Sequence, residues 1–254
     1  MRTWGFLVSR RWIGLAVIVV LLATLAWWLG EWQFHRLTDR KARNAQYATN
    51  VAADPAPAAQ LLAPGRGVSA AQEWRRVTAT GSYLPDKTVL VRYQTRKSTS
   101  GVDVVVPFRL ETGETLLIDR GWLMAPNTAS ESPDVPPPPT GVITVVGWVR
   151  ADGTGSSTRV DESGTRAVSS ATIGEFLRTE VLGGWVQLES EDGDPAADLL
   201  PAELPDPGNG PHFFYGLQWW FFGVLAVGGY GYLAYDEFRK RKTARARSAR
   251  GASP

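Results

Sequence analysis

Chemistry has few places to sit in this chain. It holds two histidines, His35 and His212, and no cysteine. A thiolate nucleophile, a disulfide and a His-rich zinc site are excluded, and a catalytic triad would have to recruit one of the two imidazoles. No glycine-rich phosphate loop precedes a helix. Asp and Glu are plentiful but fall mostly in loop-like sequence, where a solvated face accounts for them. Nothing in this inventory argues for an enzyme. What remains is His212, at the head of HFFYGLQWWFFGVLAVGGYGYLAY. At helical spacing His212, Tyr215, Gly216, Trp219 and Gly223 fall along one side. A neutral imidazole above an aromatic, glycine-notched face can ligate haem iron, and the rings suit a flat apolar macrocycle. A histidine solvated by lipid headgroups, inside the belt of Trp and Tyr that collects at a membrane surface, accounts for the same residues. The pattern alone leaves both readings open. Gln218, polar within the run, suits a bond to a neighbouring helix.

The element that carries His212 has no formal charge from Phe213 to Tyr235. Such a helix reaches about 34 Å, enough to cross an apolar bilayer core of about 30 Å. A second apolar run, Trp12–Leu29, lies near the N-terminus; it is too long for the core of a signal peptide and no clear small-x-small cleavage site follows it. The overall charge of +2 hides an asymmetry. Arg2, Arg10 and Arg11 precede the first run and Arg239, Lys240, Arg241, Lys242, Arg245, Arg247 and Arg250 follow the last, while the middle is acidic. By the positive-inside rule both termini are cytoplasmic. The expected layout is a cytoplasmic N-terminus at 1–11, a transmembrane helix at 12–30, an extracytoplasmic domain at 31–211, a second transmembrane helix at 212–235 and a basic cytoplasmic tail at 236–254. The chain is thus read as a membrane protein with two transmembrane α-helices flanking an extracytoplasmic β-rich (α+β) domain. Its location would be the cell membrane.

Between the spans, the first helix is predicted to continue past the membrane toward Asn50, with Trp32, Arg36 and Asp39 on one face. Ala- and Pro-rich sequence from Ala52 to Pro64 ends it, with one short helix around Ala58–Leu62. From Glu73 the period becomes two. Arg76–Tyr83, Thr88–Tyr93, Val102–Leu110, Glu114–Met124, Val142–Arg150 and Trp185–Leu188 read as strands, with a hairpin turn at Thr112-Gly113. Pro126–Thr140 is a stiff, proline-rich loop. Asp152–Gly164 is a mobile Gly/Ser/Thr-rich loop. Thr172-x-x-Glu175 reads as a capping box opening a helix that stops at Gly183-Gly184.

Four segments, in order, carry a family resemblance. Leu29-Gly30-Glu31-Trp32-Gln33 with Arg36 and Lys41 follows the first span. Val77-Thr-Ala-Thr-Gly81-Ser-Tyr83 comes next. Gly101-Val-Asp-Val-Val-Val-Pro107-Phe leads to Leu117-Ile-Asp119-Arg120-Gly121-Trp122. His212-Phe-Phe-Tyr215-Gly-Leu-Gln218-Trp219 closes the set. Together they resemble the surfeit locus protein (Surf/Shy) family of cytochrome c oxidase assembly factors, from about residue 12 to 242. The resemblance implies a non-enzymatic, chaperone-like assembly factor of the respiratory chain. It would act on the aa3-type oxidase, aiding biogenesis of the haem–copper subunit and handling haem a transiently. It carries His212 over as the haem ligand, with Tyr215 and Trp219 beside it. Trp32, Gln33, Arg36 and Gln218 become candidates for contact with oxidase subunits, chiefly the haem-bearing one, or for helix–helix contact. Arg120, Gly121 and Trp122 form a family signature whose residues also suit a structural role: a bulge, a core ring and a paired guanidinium. The loops at 126–140 and 152–164 are expanded relative to the family core. The alternative is a stable accessory subunit of an assembled respiratory complex that binds no haem.

Overall fold

The computed structural model describes residues 4–125, 133–161 and 164–250. The chain divides into two units, Met1–Asn44 with Gly208–Pro254, and Ala45–Pro207. The first is built from two long helices. Helix α1 runs Arg10–Ala52 and α4 runs His212–Arg250. Residues 12–30 of α1 are an uncharged run rich in Leu, Val and Ala, and Ile13, Val17, Ile18, Leu21, Leu22 and Leu25 are all at least 48% exposed. Water would not tolerate that surface. Among the described residues one helix, α1, is long and apolar enough to cross a membrane. At 1.5 Å per residue its 43 residues reach about 64 Å, twice a bilayer core, so much of it must lie beyond the hydrocarbon. Its last turns belong to the second unit. There the Asn50 amide is buried and donates to the Ala71 and Glu73 carbonyls, and Tyr47 packs edge-on against Trp74.

The second unit is a β domain. Its elements are β1 (Ala56–Pro57), α2 (Ala58–Leu61), β2 (Arg76–Tyr83), β3 (Val89–Arg96), β4 (Thr99–Leu110), β5 (Thr115–Met124), β6 (Ile143–Arg150), α3 (Ser170–Leu177) and β7 (Trp185–Glu191). The sheet order is β1-β2-β6-β7-β5-β4-β3. A further pairing of Gly81–Tyr83 on β2 with Phe108–Leu110 on β4 closes β2, β6, β7, β5 and β4 into a ring. The alternating apolar residues that point into this barrel form the main core. Val77, Ala79, Val104, Val106, Phe108, Leu116, Ile118, Val145, Val149 and Val186 are all at most 8% exposed. The opposite face of β3–β5 meets α3: Val89, Val91, Val105 and Leu117 pack with Val168, Ile173 and Val181.

The expected strands appear, with ends moved by a few residues. Helix α3 corrects the capping-box reading. It opens at Ser169, whose hydroxyl accepts from the Thr172 amide, and ends at Arg178 in the left-handed region rather than at Gly183-Gly184. Thr172 is drawn elsewhere, its hydroxyl donating to Thr158 O. Of the Pro-rich loop, residues 126–132 lie outside the described residues. The second loop, apart from 162–163, contains a 3-10 turn at Gly155–Thr158 and is tied to β3 by Arg92 N to Thr165 O.

Candidate functional site

In the helical unit, α1 and α4 run antiparallel, and each contact fixes the next. Trp12 meets Tyr230, Ala23 and Ala26 lie beside Gly223, Gly30 receives the Trp220 indole, and Gly216 receives the Phe34 ring. A Cβ on Gly30 would sit 2.3 Å from Trp220, and one on Gly216 2.8 Å from Phe34, so the helices approach this closely only because both positions are glycine. Among the α1 residues in these contacts and those that follow, Ala23, Ala26, Gly30, Gln33, Arg40 and Asn44 share one helical stripe, on which the buried Leu37 also falls. That 3–4 stripe is apolar and small below, polar above.

His212 stands at the polar end. Its Nδ1 lies 2.9 Å from Gln33 Oε1. Arg40 Nε donates to Gly208 O, and Asn44 donates to the Asn209 amide oxygen. Three residues of one α1 face therefore hold the segment that delivers His212 into α4. Among the described residues Nε2 of His212 has no hydrogen-bond partner. Tyr215 is 47% exposed, Phe213 is 47% and Phe214 73% exposed, and Trp219 is half-buried against Phe222. The indole that enters the helix contact is Trp220, stacked on Trp27 at 5.5 Å. Sequence periodicity does not separate the neighbouring Trp219 and Trp220. Below them Ala23, Trp27, Trp220, Gly223, Val224, Val227 and Gly228 line an apolar groove of about 580 Å³.

The other candidates are dispersed. His35 is exposed and bonded to its own helix, Nδ1 to Glu31 O. Trp32 is exposed with the Arg36 guanidinium over its ring, and Gln218 is exposed. Gln33, first read as a partner or helix-contact residue, is taken by His212. These residues are of a kind that would suit a haem-type group, with His212 offering one imidazole nitrogen to the iron. One imidazole nitrogen is held by protein, the other is unpaired, and exposed aromatic rings lie one turn away.

Arg120, Gly121 and Trp122 form a separate, buried node in the barrel. Arg120 is 2% exposed. Its guanidinium meets Glu191 through Nη2 at 2.9 Å and Nε at 3.3 Å, and its Nη1 donates to Pro136 O. Tyr83 donates its hydroxyl to the same Glu191. Burial first, then the neighbouring Glu191 carboxylate, pushes the Tyr83 phenol far up. Gly121 lies inside β5 rather than at a strand end. Between Asp103↔Trp122 and Val105↔Asp119 the register slips, so Arg120 and Gly121 face one residue of β4, a bulge that Gly121 permits with φ +139°. The Trp122 indole donates to Gln94 O, and its backbone exchanges two bonds with Leu200. On the other face Asp119 is buried, and burial, then the Asp103 carboxylate, raises its pKa well above the usual carboxylate range.

A barrel domain carried on a long apolar helix, with a histidine held at the head of a second helix, defines the class of protein. Residues 20–224 match the SURF1 family, and the chain belongs to it. Uncharacterised SURF1-like proteins of Mycobacterium tuberculosis and Mycobacterium bovis are 31% identical over 250 residues, covering 96% of this chain and 91% of theirs. The cytochrome oxidase assembly protein SHY1 of Saccharomyces cerevisiae is 28% identical over 116 residues, 45% of this chain and 29% of its own length. A SURF1-like protein of Rickettsia felis is 29% identical over 112 residues.

Proposed function

We propose that this chain is an assembly factor for an aa3-type cytochrome c oxidase. It holds haem a at the outer membrane surface through His212 while the haem–copper subunit is built, and does no covalent chemistry itself. The observation that carries this reading is an imidazole held at Nδ1 by Gln33, with no partner at Nε2 among the described residues, in a member of the SURF1 family. The kinship with the yeast cytochrome oxidase assembly protein supports the partner. Haem a is cargo here, so His212 would supply an axial bond. Tyr215 and Trp219 would lie against the macrocycle.

The topology has its own support. Helix α4 lies along the membrane-competent part of α1, is uncharged from Phe213 to Tyr235, and exposes Phe221, Val224, Leu225 and Leu233. That packing and that surface support reading α4 as a second span. Trp4 stacks on Phe238 and Arg241 lies over Phe6, so the basic residues flanking both helices gather at one end. By the positive-inside rule that end is cytoplasmic, which leaves the barrel extracytoplasmic in the cell membrane. Trp32, Arg36 and Gln218 then offer exposed groups to oxidase subunits near the same edge.

Purification of the full chain in mild detergent, from cells making haem a, tests the proposal. The expected result is a haem a spectrum together with the haem-bearing oxidase subunit in substoichiometric amount. A stoichiometric, haem-free association with a mature respiratory complex would instead establish an accessory subunit.

A further inference from the structure

We infer that Gln33 is a positioning residue for His212: its amide oxygen accepts the Nδ1 proton and so leaves Nε2 as the ring's only electron-pair donor. The inference deepens the proposed function and rests on it for its consequence in haem binding, though the tautomer can be measured without haem. A glutamine presents one acceptor, Oε1, and it is this atom that lies 2.9 Å from Nδ1. An imidazole facing an acceptor donates, so the neutral ring is fixed as the Nδ1–H tautomer. A histidine side chain free in water favours the other form.

The surroundings serve the same end. Arg40 and Asn44, seven and eleven residues beyond Gln33 on the same α1 stripe, bind Gly208 and Asn209 and set the backbone that leads into His212. Gly210, at φ +66°, borders the Cδ2–Nε2 edge of the ring. A Cβ there would lie in van der Waals contact with that edge, 3.5 Å from Nε2, and the positive φ favours glycine. The choice of an amide over a carboxylate also matters. A carboxylate would add a formal charge beside the ring, whereas the amide presents one acceptor without a charge.

The test uses the full chain in detergent, labelled with ¹⁵N-histidine, with His212 assigned by comparison with His212→Ala. In the neutral ring, wild type should show a protonated Nδ1 and an unprotonated Nε2. Near-isosteric Gln33→Leu and Gln33→Met should shift His212 toward the Nε2–H form, leaving His35 unchanged. With haem a added, both variants should bind about tenfold or more weakly. Their ferrous iron–histidine stretch should move to lower frequency. An unchanged His212 tautomer in Gln33→Leu overturns the inference and leaves His212 as the ligand standing. Haem binding that survives His212→Ala overturns the ligand reading, and the tautomer shift then still decides the role of Gln33.

Discussion

Replacement of Gly121 by valine should unfold the barrel domain before it disturbs the helices. Gly121 sits at φ +139°, a region that β-branched residues rarely adopt, and forcing it there costs about 1–3 kcal/mol. A Cβ on this residue would also lie 2.6 Å from the Leu200 carbonyl oxygen. That oxygen is not free to move, because Trp122 N donates to it at 2.8 Å and Leu200 N returns a bond to Trp122 O at 2.9 Å. Relieving the clash sacrifices both bonds, each worth about 1 kcal/mol. The sum is about 3–5 kcal/mol, a large part of the about 5–15 kcal/mol that holds a domain. For a domain of this size that corresponds to a fall in Tm of about 10 °C. Temperature-dependent proteolysis of the full chain in detergent, following fragments from residues 45–207, reads it directly. Gly121→Ala should keep most of the loss, because the strain and the Cβ contact remain. Midpoints within about 2 °C of wild type for both variants would refute the bulge argument.

Asp119 gives a pH prediction. Burial, then Asp103, raises its folded-state value above that of the unfolded chain, against the Gly121 amide and the Arg96 and Arg150 charges. The stability it permits is therefore complete below the unfolded value and is lost as pH rises toward the folded one. Asp119→Asn should gain on wild type as pH increases above about 4, by at most about 1.4 kcal/mol per pH unit, and parallel stability curves from pH 5 to 8 would refute this. Arg120→Met should cost about 3 kcal/mol or more in unfolding experiments, because Glu191 is left buried without its cation, and a neutral result would mean that the pair is dispensable. A reporter fused after Gly65 should read as extracytoplasmic; a cytoplasmic signal would overturn the topology.

Much of the fold was legible because burial on one face leaves a period of two. Arg76–Tyr83 and Val142–Arg150 declare themselves in this way, and the turn at Gly113 fixes the β4–β5 hairpin. Closure of the barrel was not legible. It depends on Gly81–Tyr83 meeting Phe108–Leu110, a pairing of remote segments that no local motif announces. The start of α3 failed for a similar reason. Ser169 and Thr172 both carry hydroxyls, and the choice between them is made by Thr158, fourteen residues before Thr172. At the candidate site, both Gln33 and His212 stood out in the sequence, but in separate roles. The 3–4 stripe from Ala23 to Asn44 could have shown that Gln33 and Arg40 face a partner segment. Periodicity could not say which residue of α4 they would meet.

The measurement that bears most directly on the account is the haem a-to-protein ratio of wild type and His212→Ala, each purified from cells co-expressing haem a synthesis. His212 is half-buried at the head of α4 and bonded only to Gln33 among the described residues, so its loss should leave insertion, the barrel and contact with oxidase subunits intact. The account predicts that the ratio falls sharply in His212→Ala and falls little in His35→Ala, whose ring is exposed and bonded only to its own helix. Equal ratios in wild type and His212→Ala would contradict it.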